Sequence, residues 1–283
     1  MLSRPLILVT LCLAVGLTLA IGGQRSAMKP DGSGDAEPSK KESREEPTAS
    51  SLLESKLKDL TGEDKNRFES VRSALDTLKN RPEQVAGLWK SLASFWLTRQ
   101  DFLGAAVCLD QALVWLPNGA DFRDAGLYYG SARHSSEAED SLVQSFCRRR
   151  STELLAKALE TQPNDLDLKA DWAHALVLSS PAPMQGVQVL MQIVSKEPKH
   201  LKAHAHLAKL AIESKQFPKA IQRFKNLLDW YPGLGEAYLG LGEAYYRSGQ
   251  PDSAVFYLKQ YRGLVRDPEI QEQIDSYLNQ IQP

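Results

Sequence analysis

Cysteine is scarce in this chain. Of three in 283 residues, Cys12 lies within an apolar run near the start, which leaves Cys108 and Cys147 as the only possible disulfide pair. A disulfide framework is therefore excluded, and the two thiols are read in preference as unpaired residues packed like small hydrophobes inside helices. Charge of one sign is also lacking. A formal net charge of −1 gives no overall pull toward nucleic acid, whose binding needs a clustered basic face. The motifs of common enzyme chemistry are missing too: there is no glycine-rich phosphate loop, no H-E-x-x-H and no G-x-S-x-G. The chain is thus read as non-catalytic, with no cofactor. Histidine is limited to five residues. His200 and His204 lie four apart on one helix face, yet no carboxylate or cysteine completes a ligand set and His206 points off that face, so no metal site is expected.

Long hydrophobic runs are almost absent, and the exception is informative. After Arg4 and Pro5, residues 6–23 form an uncharged stretch of about 18 residues, near the lower limit for a helix that spans hydrocarbon. Two readings stay open. Thr18, Leu19 and Ala20 offer small residues for cleavage of a secretory signal, whereas the length of the run and the Gln24-Arg25 border favour an uncleaved anchor. A lipid-modified cysteine is excluded because Cys12 sits mid-run after Leu11. Arg4 and the amino terminus compete with Arg25 and Lys29 in setting orientation. The expected arrangement is a single-pass inner-membrane protein with its folded part in the periplasm, the alternative being release into the periplasm after cleavage. Residues 24–50 are nearly all Ser, Gly, Pro, Lys, Asp and Glu, a composition too polar to order itself, and are read as a disordered tether.

Beyond the tether the pattern turns helical. Leu52, Leu53, Leu57 and Leu60, then Phe68, Val71, Leu75 and Leu78, recur at helical spacing and predict leading helices over 51–82. Further on, Leu207, Ala208, Ala220 and Phe224 recur 34 residues later as Leu241, Gly242, Ala254 and Leu258. An earlier copy reads Trp89, Leu92, Ala93 and Trp96, then Ala105, Leu109, Ala112 and Pro117, and a third unit has Trp172, Ala173, Leu176, Gly186, Leu190, Ile193 and Pro198. The second unit is irregular, because Pro117 to Pro163 exceeds one period by 12 residues. Two helices longer than standard are expected there, with a turn at 134–136. In the fifth unit Arg266 stands where a proline would fall, which predicts a lengthened final helix. The array is placed at 83–268, and 269–283 is read as a solvating cap with Ile270, Ile274, Tyr277, Leu278 and Ile281 on one face.

These residues resemble the tetratricopeptide pattern W-x2-L-G-x2-Y, A-x3-F, P, in which large residues fill the gaps between two helices and small ones let their backbones approach. The resemblance implies an all-α solenoid of about five helical hairpins that binds a protein or peptide. Together with the apolar start it resembles the membrane-anchored bacterial type. The segment 169–176, followed by a short loop and two repeats, is similar to the periplasmic repeat domain of cytochrome c maturation proteins, which implies the alternative role of chaperone for apocytochrome c.

In this family the first helix of each hairpin lines a concave groove. Carried onto this sequence, the groove takes Lys90, Ser94, His174, Lys202, Ala205, Lys209, Glu236, Leu239, Glu243 and Tyr246. Lys202 and Lys209 then lie beside Glu236 and Glu243, so the neighbouring charges satisfy one another. The functional alternative has Leu239 and Tyr246 as apolar contacts for a peptide, with Lys202 or Lys209 meeting its carboxylate. Ser94 and His174 stand where the Lys and Asn clamp of chaperone-tail binders has Asn. Arg148, Arg149 and Arg150 are read as a solvated helix surface. Of Trp89, Trp96, Trp115, Trp172 and Trp230, four are read as core, the partly exposed exception being Trp115 or Trp230, each close to a hairpin-ending proline.

Overall fold

The computed structural model describes residues 46–58, 60–132 and 140–281. The apolar run at 6–23, the tether up to residue 45 and the turn expected at 134–136 lie outside the described residues. Among these, every regular element is an α-helix: α1 (Ala49–Lys58), α2 (Gly62–Thr77), α3 (Pro82–Thr98), α4 (Phe102–Trp115), α5 (Gly119–Ala132), α6 (Ser141–Thr161), α7 (Leu166–Ser179), α8 (Met184–Lys196), α9 (Leu201–Glu213), α10 (Phe217–Trp230), α11 (Gly235–Arg247), α12 (Pro251–Leu264) and α13 (Pro268–Ile281).

The hairpins are made by a recurring local device. In three of them the first helix ends in a three-residue turn whose middle residue has positive φ: Gln100 at 57°, Lys215 at 58° and Gly249 at 77°. The next backbone N–H then reaches back five residues, Asp101 to the Trp96 carbonyl at 3.0 Å, Gln216 to Ala211 at 2.7 Å and Gln250 to Tyr245 at 3.0 Å. This is the Schellman closure, which satisfies carbonyls that the helix end leaves open. The second helix follows at once, with Asp101 accepting from the Gly104 N–H at 2.8 Å to open α4.

Between hairpins the punctuation is proline. Leu116, Gln162, Glu197 and Tyr231 each cap a second helix with φ between −142° and −125°, and each precedes a proline. A residue before proline is driven out of the helical region by its ring, so the second helix stops there. At the end of the fifth hairpin the expectation fails. α12 is 14 residues long, the same as α10, and is not extended. Pro268 does not close that hairpin but opens α13, where its missing N–H is no loss.

The irregular second hairpin is also resolved differently from expectation. α5 has 14 residues and is of ordinary length. α6 has 21 residues against 14 in α4, and the connection 133–140 is five residues longer than 99–101, which accounts for the excess.

Packing follows chain order. Each first helix lies against its own second helix, and α4, α6, α8 and α10 each contact the first helix that follows. First helices also touch one another, α5 with α7, α7 with α9 and α9 with α11. The apolar interior is accordingly a succession of clusters. One joins α1 to α6, and others centre on Leu155 with Leu168, on Leu190 with Ala203, on Phe224 with Leu241, and on Leu258 with Ile274. Small residues set the spacing: a Cβ at Gly186 of α8 would lie 2.3 Å from the carbonyl oxygen of Ala173 in α7, so only glycine allows that approach. α13 buries Ile270, Ile274, Tyr277, Leu278 and Ile281 and covers the end of the last hairpin. Cys108 and Cys147 are both buried and are not joined in a disulfide. Burial pushes the Cys108 thiol up to about 12, in keeping with an inert packing residue.

Candidate functional site

Contact between successive first helices brings their polar residues into one seam. Its centre is Asp171 of α7, buried between Ala170 and Ala173. Lys202 of α9 donates to its Oδ2 at 2.6 Å, and Nε2–H of His206, one turn further along α9, donates to its Oδ1 at 3.0 Å. Because the carboxylate only accepts, the proton on His206 is placed on Nε2. The His206 ring lies flat on His174 of α7, with centroids 4.4 Å apart and planes 13° off parallel. Burial works against the ionised form of Asp171, yet the hydrogen bond and charge of His206, together with Lys202, hold its carboxyl below the usual range.

The seam continues on both sides. Lys209 of α9 meets Glu236 of α11 at 2.6 Å, both about one quarter exposed. Burial again disfavours the carboxylate of Glu236, and the charge and hydrogen bond of Lys209 outweigh it, so this group too titrates below its ordinary value. Toward the start, Lys90 of α3 reaches Asp121 of α5 at 2.5 Å. Glu243 pairs within α11 to Arg247 at 3.1 Å.

Each residue expected in the groove can now be placed. His174, Lys202, Lys209 and Glu236 are brought together, and Lys90 belongs to the same kind of bridge two helices away. Lys202 pairs back to the third hairpin instead of lying beside Glu236 or Glu243. Ser94 is exposed, whereas Ala205 is buried. Leu239, expected to meet a peptide, is buried with Ala254, Leu258 and Ile274 and offers it no apolar surface. Tyr246 is half-buried, edge-on to Tyr277 of α13 at 6.1 Å. Sequence reasoning missed Asp121 and Asp171, the acceptors that organise the seam. The available signal was a carboxylate set between two core alanines on a repeat helix. His206 was weighed only as a metal ligand.

The other histidines of α9 serve local structure. His200 is the N-cap, its Nδ1 accepting from the Ala203 N–H at 3.3 Å. His204 donates from Nε2 to the Pro198 carbonyl at 3.0 Å and accepts at Nδ1 from Arg223 at 3.3 Å, with its ring edge-on to Trp230 at 4.9 Å. Among the described residues no group of three or more His, Cys, Asp or Glu is placed to hold a metal ion. Arg150 corrects the reading of 148–150 as solvated. It grips buried Asp110 of α4 through two nitrogens at 2.8 and 2.6 Å, and Tyr129 of α5 donates to the same carboxylate at 3.2 Å. A charge pinned by two helices in the core is a structural part, and a paired fork of this kind is strong.

Two outcomes follow. Asp171→Ala leaves the Lys202 ammonium and the His206 N–H without their acceptor, and is expected to cost about 3 kcal/mol in denaturant unfolding. Glu236→Gln breaks a pair open to water and is expected to cost at most about 1 kcal/mol. Burial lowers the pKa of His204, so the unfolded chain takes up its proton more readily than the folded one. Its contribution to stability is complete above the ordinary histidine pKa of about 6.5 and is lost as pH falls below it. Asp171 acts in a separate window, since a depressed carboxyl keeps its contribution until the pH nears about 4. Melting temperatures measured from pH 7.5 downward are expected to fall less steeply through this first window in His204→Gln than in the parent chain.

Residues 211–272 match the family model of the tetratricopeptide repeat. No curated protein matches the chain. Among solved structures it is similar to MamA, with 19% identity over 63% of this chain and 91% of that one and a TM-score of 0.38. It is also similar to PilW, described as a widely conserved type IV pilus biogenesis factor, with 17% identity over 70% of this chain and 90% of that one and a TM-score of 0.45. Neither match extends the narrower resemblance to cytochrome c maturation proteins. Residues 211–272 span the end of α9, the α10 to α12 helices and the start of α13, and it is this segment that carries the match to the tetratricopeptide repeat.

Proposed function

We propose that this protein is a non-catalytic scaffold that recruits a protein partner along the face made by α3, α5, α7, α9 and α11. The observation that carries the reading is the contact of α5 with α7, α7 with α9 and α9 with α11, which lines up side chains from successive hairpins on one surface. The bridges Lys90 to Asp121, Asp171 to Lys202 and Lys209 to Glu236 hold those side chains in fixed positions before any partner arrives. Preorganisation of this kind lowers the ordering cost of binding. A carboxylate on the partner competes with Glu236 for Lys209, because that pair is partly open to water. Ser94 and Glu243 occupy equivalent places at opposite ends of the array.

A photo-crosslinking residue introduced at Ser94 or Glu243 is expected to capture the same partner in cells, while one at exposed Lys259 on second helix α12 captures nothing comparable. Equal capture from Lys259, or none from either groove position, contradicts the proposal. The apolar run 6–23 and the polar stretch after it support a tethered scaffold whose folded part works outside the cytoplasm. Carbonate extraction is expected to leave the full chain in the membrane pellet and to release a variant lacking residues 1–23. Release of both discounts the tether and leaves the scaffold reading standing.

A further inference from the structure

The second hairpin owes its irregularity partly to two extra turns of α6, and those turns build a polar trench. Ser141, then Gln144 and Ser145, then Arg148 and Arg149, then Thr152 and Glu153 recur turn by turn at three- and four-residue spacing, so they share one face of α6. Against Leu178 and Ser179 at the end of α7 they enclose a cleft of about 380 Å³. In a second helix of the ordinary 14 residues, Ser141, Gln144 and Ser145 would be absent. None of the lining residues belongs to the first-helix seam. Ser141, Ser145 and Arg149 are exposed, so the cleft is open along its length.

Its charge is arranged asymmetrically. Asp110, Arg150, Glu153, Arg149 and Glu46 form an alternating chain, with Glu153 shared between Arg150 at 2.9 Å and Arg149 at 3.0 Å, and Arg149 also reaching Glu46 at 3.1 Å. Glu46 comes from 103 positions away in sequence, ahead of α1, and its pair with Arg149 is about half exposed at both ends. Arg148 stands outside this chain, and its Nε is enclosed with no hydrogen-bond partner among the described residues. Thr152 and Ser179 hydrogen-bond to each other at 2.8 Å and fix the far wall. An enclosed guanidinium donor without a partner asks for an anionic acceptor. The carboxylate of Glu46 on the neighbouring arginine identifies the acceptor chemistry that this rim accommodates.

We propose that the trench on α6 is a second binding site, which takes an acidic peptide segment of a protein partner with one carboxylate on Arg148, and that Glu46 is an intrachain competitor holding Arg149. An open trench suits an extended segment, and a half-exposed pair is readily displaced. The site is independent of the first-helix face, and either stands without the other.

The test is fluorescence anisotropy of a labelled peptide, Gly-Glu-Ser-Glu-Glu-Gly, titrated with the full-length protein in detergent. Saturable binding is expected, and a matched peptide with Gln in place of each Glu is expected not to bind. Loss of a charged hydrogen bond in Arg148→Gln is expected to weaken binding at least about tenfold. Removal of the competitor in Glu46→Gln is expected to tighten it about threefold. Circular dichroism melts report whether Arg148→Gln folds; should it fail to, Arg148→Lys and Glu46→Gln carry the test. Unchanged affinity in a folded Arg148 variant, or in Glu46→Gln, overturns the proposal. So does inorganic phosphate displacing the peptide at the peptide's own dissociation constant, since the site would then be one for small anions.

Discussion

Close approach of helix backbones is the constraint on which this protein depends. A side chain any larger than hydrogen at Gly186 would meet the backbone of α7, and a Cβ at Gly240 would fall 2.3 Å from the ring of Phe224 in the preceding hairpin. Small residues at these places let each second helix nest against its own first helix and against the next one. Apolar burial then accumulates from neighbour to neighbour, as expected where stability is a sum of repeat and interface terms. First helices become mutual neighbours only because second helices fit so closely behind them.

That adjacency turns isolated charges into a network. Asp171 is buried and draws a cation and an imidazole from the next hairpin, and Lys209 repeats the connection one hairpin on. Asp110 does the same for α4, α5 and α6 through Tyr129 and Arg150. Polar groups at such depth are stable only when fully paired, so these bridges help fix which hairpin faces which. The pairing is wet at Lys209 with Glu236 on one face and incomplete at Arg148 on α6, the two surfaces proposed for partners.

Local chemistry was the most legible part of the sequence. Prolines 117, 163, 198 and 232 mark the ends of second helices because a proline ring acts on the residue just before it, and the 34-residue recurrence carries the packing positions unchanged. Legibility fell where spacing alone leaves a choice. Pro268 could end one helix or begin another, and the end of α12 was decided by Val265 leaving helical geometry at ψ 132°. The 12-residue excess in the second hairpin could be distributed in several ways, and its concentration in α6 and the connection reflects the burial of Phe146, Cys147, Ser151 and Leu154 on one side of the longer helix. For the seam, helix position was readable and partner choice was not. Lys202 sits at a groove position by register, yet whether it leans toward Asp171 or Glu236 is a matter of three-dimensional offset between helices that no intra-repeat period encodes. Leu239 shows the same limit, since it is buried in a cluster that α13 completes, and α13 belongs to no repeat.

The central claim is that neighbouring hairpins share their stability through interlocked packing. Phe224 tests it most directly, because it belongs to α10 and is fully buried against α11. Amide hydrogen exchange of the full chain, compared between the parent and Phe224→Ala, is expected to show faster exchange in α9, α10 and α11 together, with α3 and α4 unchanged. Acceleration confined to α10 would contradict the account.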